Sequence, residues 1–176
     1  IVAHEAKCTV VSADVIKALI AAKGGNKHNP LVVTREAADW VLEADYLGNL
    51  GEDTAWLARW RDFVDAGLHV AAAVDAPWIF PGFALTDDIG RPVDQIAGGM
   101  DGKGRANPEI PGWVPAQSLT AEQGLRAVTI DAAWALGDEQ QRGHLAPGTN
   151  ADITILSGDV LSATPDEIRE LEVIAT

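Results

Sequence analysis

The chain has 176 residues, 47% of them hydrophobic and 22% charged, a length and balance that suit one ordinary domain with its own core and exclude disordered, collagen-like and low-complexity classes. Thirteen Lys and Arg against 26 Asp and Glu leave a formal net charge of −13, spread as −6 over residues 1–88 and −7 over 89–176 rather than gathered in a tail. Such a surface repels polyanions, so no nucleic acid and no anionic membrane is expected as partner. Apolar runs as long as any, such as residues 70–74 cut off by Asp75, stop far short of the roughly 18 residues of a membrane span. The single Cys8 has no internal partner, which fits a reducing, cytoplasmic setting.

Strand and helix signals alternate along the first half. Residues 1–4 are short and apolar and read as a strand ending in His4. Ser12 is an N-cap ahead of Val15, Ile16, Leu19 and Ile20 at helical spacing, with Gly24 and Gly25 as the stop. Residues 31–34 are β-branched, follow Pro30 and read as the next strand, with a loop over 35–52. Asp53 or Thr54 caps a second helix with the face Leu57, Trp60 and Val64, flanked by Trp56 and Phe63 and closed by Gly67. Residues 68–74 are apolar at nearly every position, which predicts a strand covered on both faces, with His69 as a structural residue inside it. Strand, helix, strand, helix, strand is the grammar of a parallel α/β sheet.

Residues 77–117 break that rhythm: six of nine prolines and seven of 17 glycines fall there. The stretch reads as a long loop, a lid or site wall, with at most a short helix at 93–97. Thr120 and Gln123 then form a capping box before a helix with the apolar stripe Leu125, Val128, Ala132 and Leu136 and a stop at Gly137. His144 is expected to be exposed on a turn; Pro147 and Gly148 make a second turn before a strand at 151–156. Pro165 opens a helical turn, and residues 171–176 form the last strand. The chain starts at Ile1 and both ends fall in strand-like runs, so a piece of a longer polypeptide is expected.

Several catalytic motifs fail when tested literally. Across residues 98–104 a phosphate loop would need Gly where Ala97 stands and Ser or Thr where Gly104 stands, so a flexible loop is predicted. His4-Glu5-Ala6-Lys7-Cys8 lacks the second His of a zinc-protease helix. What remains is Asp75, at the carboxyl end of the most buried strand, where parallel α/β sheets put their chemistry; capping of the next helix is its ordinary alternative. His4 ends the first strand in the same way, and the two together are one ligand short of a minimal catalytic metal site. Trp78 and Trp113, in the loop region after Asp75, are candidates to wall an apolar substrate pocket, while Trp56, Trp60 and Trp134 read as core packing.

These residues resemble a known family. Residues 68–77, ending Val74-Asp75-Ala76-Pro77, look like the eighth barrel strand of the amidohydrolase superfamily. Leu119-Thr120-Ala121-Glu122-Gln123 through Thr129-Ile130-Asp131-Ala132-Ala133, followed by Gly143-His144-Leu145-Ala146-Pro147-Gly148-Thr149-Asn150-Ala151-Asp152-Ile153, resemble its C-terminal signature. The Asp-Ala-Pro triplet, the Pro-rich insertion and Pro165-Asp166-Glu167-Ile168 point to the branch called amidohydrolase family 3. Val2-Ala3-His4 with Val11-Ser12-Ala13-Asp14-Val15-Ile16 is similar to that branch's sixth-strand unit.

The resemblance implies an α/β fold: the C-terminal part of a distorted (β/α)8 TIM-type barrel, strands six to eight, over residues 1–137, and part of a small β-sandwich domain over 138–176. It implies hydrolysis of a C–N bond in a small-molecule, amide-type substrate by water activated on one or two divalent metal ions, commonly zinc. Asp75 matches the eighth-strand aspartate, a metal ligand and proton relay from the attacking water to the leaving amine. His4 matches a position that binds metal or substrate. The family's His-x-His pair of strand one, its strand-four bridging residue and its fifth-strand His have no counterpart here, so most ligands are expected outside these residues. The alternative expectation is a catalytically incomplete scaffold or oligomerisation fragment whose exposed sheet edge drives self-association; a homo-oligomer is compatible with either.

Overall fold

The computed structural model describes residues 2–3, 25–26, 29–30, 32–35, 59–72, 91–102 and 114–176. Its first strands are β1 (Val2–Ala3), β2 (Gly25–Asn26), β3 (Asn29–Pro30), β4 (Val32–Arg35) and β5 (His69–Ala72). Strands β1, β4 and β5 form one parallel sheet in that order, with Val2 opposite Val32, Val32 opposite His69 and Arg35 opposite Ala72. A parallel neighbour requires the chain to cross back between strands, as the alternating strand and helix signals predicted. Beside the expected strands there is a short antiparallel pair that the spacing did not suggest. In it Gly25–Asn26, next to the predicted helix stop, pairs with Asn29–Pro30.

Helix α1 (Trp60–Asp65) packs on β5 and ends at Gly67, whose φ of 80° only glycine adopts at little cost. Of the expected face, Trp60 is buried as predicted and Leu57 lies outside the described residues, while the flanking Phe63 is buried more fully than Val64, because two large aromatics three residues apart carry more apolar area than a valine and set the roll of so short a helix. In β5, Val70 and Ala71 are both buried although they point to opposite faces, so the strand is covered on both sides as predicted.

Part of the expected long loop is core. Helix α2 (Pro92–Asp101) has Pro92 in its first turn and Gly102 at φ 76° beyond its end, the N–H of Gly102 donating to the Gly98 carbonyl at 2.8 Å. Val93 and residues 95–99 are buried in it. Gly98 and Gly99 are therefore helical rather than part of a flexible loop, and Gly99 comes close enough for its carbonyl to accept from the Leu119 N–H at 2.7 Å. Residues 114–117 form a 3-10 turn.

The capping box forms as predicted, Gln123 N–H to Thr120 Oγ1 at 3.2 Å and Thr120 N–H to Gln123 Oε1 at 2.9 Å. The helix it starts is not continuous, however. It divides into α3 (Ala121–Val128) and α4 (Ile130–Leu136) at Thr129, whose backbone is at φ −123°, ψ −98°. The Thr129 hydroxyl donates to the Leu125 carbonyl at 2.7 Å, a bond that competes with the helical ladder. The break turns α4, so the predicted stripe fails beyond Val128: Asp131 and Ala133 are buried and Leu136 is 79% exposed. Gly137 closes α4 as expected.

Helix α5 (Pro165–Arg169) opens on a second capping box between Thr164 and Glu167. Strands β6 (Ile155–Leu156) and β7 (Val173–Ala175) pair antiparallel; residues 151–154, read as strand in the sequence, make no ladder. Val93, Ile96 and Ala97 of α2 join Val160, Ile168 and Leu171 in one buried cluster, flanked by Leu125 and Val128. This core thus draws on residues from both sides of position 137. A bidentate pair from Arg169 to Asp101, both contacts 2.8 Å, ties α5 to the end of α2, and the Asp101 carboxylate raises the Arg169 pKa above its usual value. Among the described residues no helix is long and apolar enough to cross a membrane.

Candidate functional site

The described polar cluster nearest the parallel sheet is built on β5. His69 opens that strand, and its Nδ1 lies 2.7 Å from Asp131 Oδ1 in the first turn of α4. The imidazole also stacks on Trp134, ring centroids 4.1 Å apart and planes 17° from parallel. Arg126, in the last turn of α3, donates from Nη2 to the same Asp131 oxygen at 3.2 Å. The break at Thr129 makes this possible, because it turns Asp131 inward directly after Arg126. Gly143, at φ 82°, presses against the break: a β-carbon there would lie 2.7 Å from Ile130 Cα and 2.9 Å from the Thr129 carbonyl oxygen.

Asp131 is 7% exposed and the His69 side chain 31%. A carboxylate so enclosed is acceptable because two donors share it. With Nδ1 donating to the carboxylate, Nε2 is the acceptor of the neutral ring. The arrangement fixes the imidazole in translation, by the hydrogen bond, and in tilt, by the stack. Among the described residues no three His, Cys, Asp or Glu come together in a way that could hold an ion.

The residues singled out in the sequence, Asp75, His4, Trp78 and Trp113, all lie outside the described residues. Strand β5 is described to Ala72, three residues before Asp75, and β1 to Ala3, next to His4. Because β1 and β5 run parallel in one sheet, their carboxyl ends leave it in the same direction. His144 is exposed as expected, its Nδ1 3.2 Å from the Arg142 carbonyl oxygen. Sequence reasoning assigned no role to Asp131 or Arg126. The signal available was an acidic residue just after the predicted stripe position Val128, together with a histidine in an otherwise apolar strand.

Comparison with known proteins gives the family. The family model for amidohydrolase family 3, described as "Amidohydrolase family", matches residues 4–176. The chain belongs to amidohydrolase family 3. It is 27% identical over 143 residues to "Putative amidohydrolase YtcJ" of Bacillus subtilis (strain 168), covering 80% of this chain and 24% of that protein. It is 34% identical over 118 residues to "N-substituted formamide deformylase" of Arthrobacter pascens, covering 66% of this chain and 19% of that one. The amidohydrolase chain described here thus spans about a quarter or less of the length of the curated relatives it matches. No solved structure matches it. Membership implies a TIM-barrel-type α/β fold, with which the parallel β1-β4-β5 sheet agrees, and a family that is generally metal-dependent.

Proposed function

We propose that these residues are the C-terminal portion of a metal-dependent amidohydrolase that hydrolyses a C–N bond of a small amide-type substrate, with Asp75 as proton relay and metal ligand. The observation that carries this reading is the family match over residues 4–176. The parallel sheet supports it: the strands that lead in sequence toward His4 and Asp75 end at one edge, the edge where such sheets hold their chemistry. An imidazole nitrogen and a carboxylate oxygen are donors that a divalent ion such as zinc accepts, and the ligands beyond these two come from outside this segment.

A metal bound there would supply a water of lowered pKa. Asp75 takes the proton from the attacking water as the new C–O bond forms, and delivers it to nitrogen as the C–N bond breaks. His4 holds metal or substrate. Trp78 and Trp113 wall the apolar part of the substrate, and an N-substituted formamide, the class in the name of the Arthrobacter relative, is the first substrate to try. The single Cys8 favours a reducing, cytoplasmic setting. In the intact protein Asp75→Asn keeps the fold and loses about 10³-fold in kcat; an Asn variant that turns over at the wild-type rate contradicts the reading.

A second reading, a self-associating scaffold, draws on one observation: Ile153, Ile155, Val173 and Ile174, on or beside the β6–β7 pair, are 48–61% exposed. It predicts that the 176-residue chain sediments as a concentration-dependent oligomer without metal. A monodisperse monomer of 18.6 kDa that carries stoichiometric metal contradicts it.

A further inference from the structure

We infer that His69 and Asp131 are positioning residues for the chemistry at the end of β5, acting through the strand rather than on substrate. The inference rests on the reading of Asp75 as proton relay. Strand β5 pairs with β4 by a parallel backbone ladder, and side chains tie it to the helices packed on it. The most directional of the side-chain contacts is the 2.7 Å bond from His69 to Asp131, reinforced by the Trp134 stack.

The other end of that bond is equally constrained. Asp131 is held by Arg126 at 3.2 Å, and its helix starts at the Thr129 break, against which Gly143 packs too closely to admit a β-carbon. A leucine and a phenylalanine would fill the same space without the cost of enclosing a carboxylate, but would supply no directional bond between β5 and α4. The hydrogen-bonded pair fixes the start of β5 against α4 with a directionality that apolar contact does not have.

His69 opens β5, the strand is described to Ala72, and Asp75 follows three residues later in the sequence. A strand is stiff along its axis, so an error at His69 is passed on to the residues beyond it. Misplacement of a catalytic group by about 1 Å costs on the order of 10²-fold in rate. Loss of the pair therefore lowers kcat while the substrate pocket, and with it KM, changes little.

The test uses the intact protein with an N-substituted formamide as probe substrate, measuring kcat, KM and Tm. Asp131→Ala is expected to lower kcat about 10- to 100-fold with KM within about threefold of wild type. Asp131→Asn, which keeps an oxygen acceptor for Nδ1–H, recovers most of that loss. His69→Phe keeps the stack on Trp134 but not the hydrogen bond, and should lose kcat as Asp131→Ala does; it decides the matter if the alanine variant does not fold. Ile168→Val, in the α2–α5 core far along the chain from β5, serves as the control that lowers Tm without lowering kcat. If Asp131→Ala and His69→Phe lower Tm but leave kcat at wild type, or raise KM alone, the pair only stabilises the fold and the inference is overturned. If Asp75→Asn retains turnover, it is the reading of Asp75 that fails, whatever the other variants do.

Discussion

Gly143 combines a φ of 82° with close neighbours from the α3–α4 break: a β-carbon would sit 2.7 Å from Ile130 Cα, 2.9 Å from Ala133 Cβ and 2.9 Å from the Thr129 carbonyl oxygen. Gly148 has φ 93° and nothing within 4 Å of the same position. The two glycines therefore separate backbone strain from crowding. Gly148→Ala should cost about 1 kcal/mol through strain alone. Gly143→Ala adds overpacking against the α3–α4 break and should cost about 2–4 kcal/mol in urea unfolding; equal losses at the two sites would mean that the break is softer than its geometry suggests. At this scale the sequence was partly silent. The turn glycines Gly67, Gly137 and Gly148 were legible because they follow a predicted helix or a proline. Asp131 was not, because its burial depends on a threonine hydroxyl turning back on Leu125, and spacing alone does not show that event.

Helix ends were the most legible elements, since a cap is local and its partners lie three residues apart. Thr164 and Glu167 illustrate this and bring a pH dependence. The Glu167 carboxylate accepts from the Thr164 N–H and hydroxyl, each at 2.8 Å, and these bonds hold its pKa below the ordinary 4.5. A depressed folded-state pKa contributes stability that is present above the unfolded value and lost as pH falls through the folded one. Asp159 is lowered for a similar reason, by the Leu161 N–H and the Ser162 hydroxyl. Glu167→Gln should thus lower Tm at neutral pH and give a shallower acid limb, the two curves drawing together as pH falls below 4.5 through the lowered folded-state pKa; curves that stay parallel through the acid limb would show that the carboxylate contributes nothing through its charge. Helix α2 was under-read for an instructive reason. Proline and glycine were counted as breakers, whereas Pro92 and Gly102 stand where they mark a helix start and stop. Strand β6 is short for the opposite reason: its ladder depends on β7, at the end of the chain, which periodicity within 151–156 does not report.

At the scale of the whole molecule, alternation of strand and helix signals anticipated a parallel sheet, and β1, β4 and β5 stand in chain order within it. Long-range packing was not legible in the same way. Ile96 and Ile168 meet in one core although 72 positions separate them, and the Asp101–Arg169 pair that locks the same two helices has no signature in either local stretch. The family match covers nearly the whole chain, while the relatives extend well beyond it. The measurement that bears most directly on the assignment is kcat of Asp75→Asn in the intact protein on an N-substituted formamide, with circular dichroism and metal content recorded on the same sample. A folded variant whose turnover has fallen about 10³-fold is the predicted result. A folded variant with wild-type turnover would contradict the assignment of Asp75 as proton relay.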